Sequence, residues 1–268
     1  ASSVGITPAS ARSGDAALRS AVKATNAAYA GTSRPVDPTA RPAVPDKHVV
    51  VISAGQASLS AKMPADAAVE AAEELGWRAD VYDGQLTPAS YGPLVRQAVA
   101  AGADGIVLVT IDCQAVKEPL AEARKAGIEV TAISGFDCDD PKGGGDREGL
   151  FSAPIDVGTS ERGLGPWVAA YGAAQANYVI AKSKNKARIL MVRDPEFTTL
   201  EYVDQGFERT IARSKGSEIV ETVDVTTADF LSNQLVPKIQ AALLFLMMRR
   251  PPRSTLFPST TLGVVPAL

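Results

Sequence analysis

The sequence contains a single histidine and two cysteines among 268 residues, and it has no apolar run of 18 or more. Each scarcity excludes something. A Ser–His–Asp or Cys–His machine needs an imidazole beside its nucleophile. The one histidine, His48, instead opens a strand directly after a linker, the setting of a structural residue. Cys113 and Cys138 are too few for a disulfide framework and form no CxxC motif. Without a long apolar run, no helix is long enough to span a bilayer. Also absent are GxGxxG after a strand, GxxxxGK[ST], GxSxG and any His-rich metal spacing. An enzyme is therefore the weakest reading. No catalytic residue, metal or cofactor is expected.

Charge is sparse in both signs. The 27 basic and 30 acidic residues leave a net charge of -3, with no basic excess for nucleic acid and no acidic tail. The 46% hydrophobic and 21% charged content fits a soluble globular protein, and the length suits one large domain or two ordinary ones. The chain opens on Ala1 with no charged and apolar leader, which reads as a mature or trimmed chain with any export signal upstream.

What is present is a repeating unit. Residues 1–46 read as a helix, "DAALRSAVKATNAAYA", and a linker, "GTSRPVDPTARPAVPDK", whose four prolines cannot continue a helix or a central strand. From 47 to 156, strand-like runs ("KHVVVISAG", "WRADVYDG", "ADGIVLVTID", "IEVTAISGFD") alternate with helix-like ones. In "PADAAVEAAEELG", Ala65, Ala68, Val69, Ala72 and Leu75 share one face. Gly76, Gly102 and Gly127 each follow a helix where a left-handed cap favours glycine. Near-continuous apolar strands alternating with helices predict α/β architecture, with a doubly wound parallel sheet covered on both faces. The loop "DCDDPKGGGDREG" leads to a predicted strand, "LFSAPIDV", and lacks the strand–turn–helix setting of a nucleotide fingerprint. A second α/β unit, 157–243, follows with a long helix, "ARILMVRD", "TTLEYVDQGFERTIARSKG", "SEIVETVDV" and a helix over "ADFLSNQLVPKIQAAL". It has two clear strands, an incomplete lobe beside the first.

Asp83, Asp112 and Asp137 fall at the carboxyl ends of predicted strands, where open α/β sheets place ligands. Aspartate also starts turns and caps helices. For Asp83, followed by Gly84, the turn reading is favoured; for Asp112 and Asp137, ligand contact.

The arrangement resembles the type I periplasmic binding protein superfamily, which includes sugar receptors of ABC transporters and shares its fold with LacI-type effector domains. The resemblance runs from about Lys47 to Leu243. It is carried by "VVVISAGQ", by "GIVLVTIDCQAVKEPLAEARKAGIEVTAISGFD", and by "QGFERTIA" after "RILMVRD". It implies two Rossmann-like lobes closing by hinge motion over a small polar, sugar-like solute, without catalysis, and delivery of that solute to ABC permease subunits outside the cytoplasm. Carried over by position, Gln56 and Ser58 contact ligand after the first strand, Asp112 after the third, and Phe136 and Asp137 after the fourth. Asp194, Phe197 and Glu201 do so from the second lobe. Phe136 either stacks on a sugar face or packs under the loop. Sugar-binding relatives often carry arginine where this chain has Cys138 and Glu201, which argues against a simple pentose or hexose. The alternative is the effector domain of a LacI-type regulator, though no helix-turn-helix or basic face precedes the first strand.

Cys113 and Cys138 each follow one of those aspartates. Adjacent parallel strands lie about 5 Å apart, within disulfide reach. An exported protein is expected to bridge them; a cytosolic regulator keeps two buried thiols. Finally, Leu246 to Leu262, "LMMRRPPRSTLFPSTTL", resembles a sequencing adaptor translated in one frame, departing only at Met248 and Ser259. Residues 244–268 are therefore expected to be non-biological and irregular. The apolar faces of the second lobe are then expected to lack part of their cover, and ligand binding to be poor.

Overall fold

The computed structural model describes residues 9–31, 42–153 and 164–248. The chain divides into two compact units, residues 36–167 and residues 1–35 with 168–268.

In the 36–167 unit, β1 (His48–Ser53), β2 (Arg78–Asp83), β3 (Gly105–Val109) and β4 (Glu129–Ile133) form one all-parallel sheet in the order β2-β1-β3-β4. β1 is buried along its whole length because both faces of the sheet are covered. Val50 and Ile52, with Ile106, Leu108, Val130 and Ala132, meet Tyr91, Val95 and Ala98 of α3 (Pro88–Ala100) and Leu120 and Ala123 of α4 (Lys117–Lys125). Val49, Val51 and Val109 point the other way, onto Ala61 and Ala65 of α2 (Leu59–Glu74). This explains the continuous apolar run: alternation along a strand leaves no polar face when each side meets a helix.

α2 starts five residues before the expected Pro64. Extended Ser58 is its N-cap, and Pro64 inside it removes only the N–H that would bond the Ser60 carbonyl. On its predicted inner face Ala65 and Ala72 are buried, whereas Leu75, at the frayed end, is 47% exposed. Gly76, Gly102 and Gly127 adopt φ of 73°, 67° and 80°, the left-handed caps expected of them. Leu150 to Ala153 do not form the predicted strand. The Ser152 N–H donates to the Val130 carbonyl, the Ser152 Oγ accepts from the Val130 N–H, and the Thr131 hydroxyl donates to the Ala153 carbonyl. Side-chain hydroxyls thus take over part of a ladder that backbone groups would otherwise complete. The rest of that prediction, 154–157, lies outside the described residues.

The other unit holds α5 (Leu164–Lys182), β5 (Arg188–Arg193), α6 (Thr198–Ser214), β6 (Glu218–Asp224), α7 (Thr227–Leu231) and α8 (Leu235–Met248), with β5 and β6 parallel. α1 (Ala9–Ala30), expected as a segment apart from either lobe, belongs to this unit. Its Leu18 and Ala21 pack in one cluster with Ala176 and Ile180 of α5, Met191 of β5, and Phe207 and Ile211 of α6. α5 and α6 cross with backbones almost touching: a Cβ on Gly172 would lie 1.9 Å from the Val203 carbonyl oxygen, and one on Gly206 would lie 1.8 Å from that of Ala169.

The single helix predicted over residues 228–243 is two, α7 and α8. Asn233 breaks it at φ 58°, a conformation that asparagine tolerates. Residues 244–248, expected to be irregular, continue α8, because leucine, phenylalanine and methionine without proline or glycine sustain a helix. The remainder of the adaptor-like stretch, from 249, lies outside the described residues. No residue of α8 is buried, and Val236, Leu244, Met247 and Met248 are among the exposed apolar side chains.

Candidate functional site

In a sheet of order β2-β1-β3-β4 the connections leave β1 and β3 in opposite directions, opening a crevice outside their carboxyl ends. Several backbones turn sharply there. Gln85 and Leu86 after β2, Thr110 after β3 and Ser134 after β4 have φ between 53° and 56°. Left-handed backbone is rare for residues other than glycine and a clear outlier for a β-branched threonine, and such strain concentrates at functional edges.

The loop after β1 is pinned by a carboxylate. Asp83 Oδ1 accepts from the Gln56 N–H at 3.0 Å and the Gln85 N–H at 2.8 Å, so Asp83 is the turn residue it was read to be. Burial, then the Asp83 charge, raises the pKa of the nearby Tyr91 phenol. Beneath this loop two polar atoms are buried without a partner, Ser53 Oγ and Gln56 Nε2. Ser53 itself is 0% exposed. A buried polar group without a hydrogen bond costs roughly 1–3 kcal/mol, so these two atoms at the sheet's carboxyl edge call for a partner that the chain itself does not supply.

The aspartates after β3 and β4 sit three and four residues beyond the strand ends and hold backbone in place. Asp112 Oδ1 accepts from the Phe136 N–H at 2.9 Å, and the Cys113 N–H donates to the Phe136 carbonyl at 2.8 Å. The Asp137 carboxylate accepts from the N–H groups of Cys138, Leu150 and Phe151 at 2.7, 2.7 and 3.0 Å. Such an arrangement makes Asp137 the anchor of the 137–151 loop. Phe136 is 2% exposed with its Cβ under Gly143, so of its two readings the packing one describes this structure. Cys113 and Cys138 are joined by a disulfide with Cα atoms 5.1 Å apart and both residues fully buried. Their sulfurs lie with an Asp137 oxygen in the one His/Cys/Asp/Glu grouping compact enough for a metal among the described residues, but bonded to each other they are poor ligands.

Ser58 and Gln56 thus share one loop, and Asp112, Phe136 and Asp137 share the two neighbouring ones. The other unit places its three candidates together after β5. Asp194 Oδ1 accepts from the Glu196 N–H at 3.0 Å, and burial raises its pKa. Phe197 caps α6 with its backbone carbonyl and is 36% exposed, and Glu201 lies exposed in the first turn. Nearby, Arg193 bonds Asp224 through two nitrogens at 3.0 and 2.8 Å. Asp204 of α6 is pushed up to about 6 by burial, with Arg193 opposing and Glu208 and Asp224 adding to the rise. Since its folded-state value exceeds the usual 3.8, this group stabilises the fold below about pH 4, and that contribution is lost as pH rises through about 6. Asp204→Asn is expected to raise Tm at neutral pH and to leave it unchanged near pH 4, as read by thermal melts across that range. A constant gain at both ends would exclude titration as the cause.

Ser53 was missed by the sequence reading. Its one signal was a hydroxyl ending an otherwise wholly apolar strand. His48 lies at the opposite, amino edge, bonded to Asp80 and Arg78 at 2.7 Å each, as a structural residue would be.

The sequence matches the periplasmic binding protein domain family over residues 50–243. No curated protein sequence matches the chain. Among solved structures, it is similar to an ABC transporter solute-binding protein from Burkholderia graminis C4D1M in complex with D-arabinose (TM-score 0.57, 20% identity, 74% of this chain and 62% of that one). It is also similar to the binding protein of the arabinose ABC transporter from Shewanella sp. ANA-3 bound to L-arabinofuranose (TM-score 0.54, 20% identity, 66% and 54%) and to a galactofuranose binding protein (TM-score 0.53, 19% identity, 66% and 56%). The chain spans less than two thirds of the length of each, and at this identity the likeness is one of fold. With the family match covering most of the chain, the protein belongs to the periplasmic binding proteins, of the type I fold.

Proposed function

We propose that the protein is the solute-binding component of an ABC importer, working outside the cytoplasm and presenting a small, polar, sugar-like ligand to permease subunits in the membrane. It binds and does not turn over. The observation that carries this reading is the pair of unpartnered buried atoms, Ser53 Oγ and Gln56 Nε2, at the carboxyl end of the central strand. A hydroxyl and an amide there suit a ligand bearing oxygens that both donate and accept. The buried disulfide supports an oxidising compartment and weighs against a cytosolic regulator. Gln56 and Ser58 are the proposed contacts from the first loop. Asp112 and Asp137 act on the ligand through the loops they hold, and Asp194, Phe197 and Glu201 add contacts from the second sheet's edge.

Thermal melts against a panel of pentoses, hexoses and their acids test this, and a ligand-induced rise would at the same time overturn the expectation of poor binding drawn from the adaptor-like ending. A ligand at about 100 times its Kd stabilises by about 2.7 kcal/mol, equivalent to a rise of roughly 5–10 °C for a chain of this size. Gln56→Ala is expected to remove most of that rise without lowering the Tm of the free protein. If no solute moves the melt, or if the panel yields a chemical product, the reading is wrong.

A further inference from the structure

We infer that the loop after β1 is an oxyanion seat, so that the solute carries a carboxylate or phosphate beside its hydroxyls. This rests on the ligand-binding reading of the same edge and adds the chemical class of one ligand group.

Three independent features converge on five residues of "SAGQASLS". The first is the start of α2, a 16-residue helix whose N-cap, Ser58, makes no side-chain cap bond. The Ser58 carbonyl accepts from the Ala61 and Lys62 N–H groups, and the Ser58 hydroxyl is bonded sideways to that of Ser60 at 2.8 Å. The leading N–H groups of a helix have no partner within it, and with the helix dipole they present about half a positive charge. Leu59 and Ser60 supply those N–H groups, and both residues are exposed. The second feature is Ser53. Alternation along β1 puts it on the face of Val49 and Val51, the face that packs on Ala61 in the first turn of α2, and its hydroxyl there is fully buried and unpartnered. The third is Gln56, whose unpartnered amide lies in the connecting loop. Gly55 brings the loop backbone against Leu86: a Cβ there would sit 2.5 Å from the Leu86 side chain.

A strand, a tight glycine turn and an uncapped helix start form the arrangement by which α/β sheets bind anions. Asp83 Oδ1 already accepts two backbone N–H groups, one of them the Gln56 N–H that fixes the loop. Lys62 is held by Asp66 at 2.6 Å, so it leaves the seat's positive potential to the backbone. The unpartnered side chains are a hydroxyl and an amide, both able to donate, and an oxyanion accepts from each without a countercharge of its own.

Two experiments on the full chain decide it. In the first, inorganic phosphate is titrated against 15N-labelled protein. The Leu59 and Ser60 amide signals are expected to shift and saturate, and Ser53→Ala is expected to weaken that response tenfold or more. Should Ser53→Ala fail to fold, Gln56→Ala carries the same expectation. In the second, melts compare D-galactose with D-galacturonate and D-glucose with D-glucose 6-phosphate. The seat predicts a larger rise with the acid or the phosphate, and the two pairs distinguish carboxylate from phosphate. Neutral sugars stabilising as well as their anionic partners, with no saturating amide shift, overturn the oxyanion seat while leaving the solute-binding function standing. A phosphate response without any sugar response supports the seat and removes the sugar-like reading instead. Silence in both experiments overturns both.

Discussion

Gly206→Ala is expected to unfold the α5–α6 layer, although alanine is the better helix former. The propensity gain is about 1 kcal/mol. Against it stands a Cβ placed 1.8 Å from the Ala169 carbonyl oxygen, which only a separation of the two helices can relieve. Overpacking a well-filled contact costs about 1–3 kcal/mol, and here the obstacle is backbone, which cannot rotate away. Separating the helices would also open the cluster of Ala176, Ile180, Phe207 and Ile211. The overpacking and the opened cluster together outweigh the propensity gain, for a net loss of about 2 kcal/mol or more. Gly172→Ala, 1.9 Å from the Val203 oxygen, should behave alike. The contrasting control is Gly105→Ala, whose new Cβ would come no nearer than 3.7 Å to its neighbours. Urea denaturation followed by far-UV circular dichroism, with hydrogen exchange resolving α5 and α6, reads the difference. Equal stability of Gly206→Ala and Gly105→Ala would show that the crossing is looser than the geometry states.

Removing the disulfide should cost as much. The bridge closes a loop between cysteines 25 residues apart. Closing such a loop restricts the unfolded chain by about 3.5 kcal/mol at 25 °C, between the values for 15- and 100-residue loops. Cys113→Ala/Cys138→Ala is expected to lower the stability of the first unit by about that amount, read as a lower denaturation midpoint with a steeper slope, because the unbridged unfolded chain exposes more surface. The loop itself should persist at low denaturant, because Asp137 still accepts its three N–H groups and Asp112 still holds Phe136. Both cysteines are fully buried, so a dithiol should leave the folded wild type oxidised and reduce it only as it unfolds. Rapid reduction of the folded protein, or a double variant as stable as wild type, would contradict this account.

The fold was legible where local chemistry and tertiary need agree. The run His48 to Ser53 reads as a strand buried on both faces because both faces are in fact covered, and Gly76, Gly102 and Gly127 mark helix ends because left-handed backbone is costly for other residues. The candidate site was legible only as an address. That the candidate contacts fall after β1, β3 and β4 follows from the predicted strand ends and the family resemblance, but what each aspartate does depends on partners elsewhere in the chain. Asp137 looks like a free strand-end carboxylate until the N–H groups of Leu150 and Phe151 fold back onto it. Phe136 looks available until Gly143 covers it. Ser53 carried the opposite error, a hydroxyl that passes for the end of an apolar strand and turns out to be unpaired. The α5–α6 crossing was invisible for a related reason. A glycine within a helix looks like a weakness until the other helix is known to need that space.

α1 gives the molecule an order of assembly in time. Its partners on α5, β5 and α6 are made only after the whole 36–167 unit has been synthesised. At about 5–20 residues per second, roughly 10–40 seconds separate Ala30 from Ser214 as the chain leaves the ribosome. Throughout that interval the partners of α1 within its own unit do not yet exist. α1 is therefore made well before its partners and is fixed only together with them.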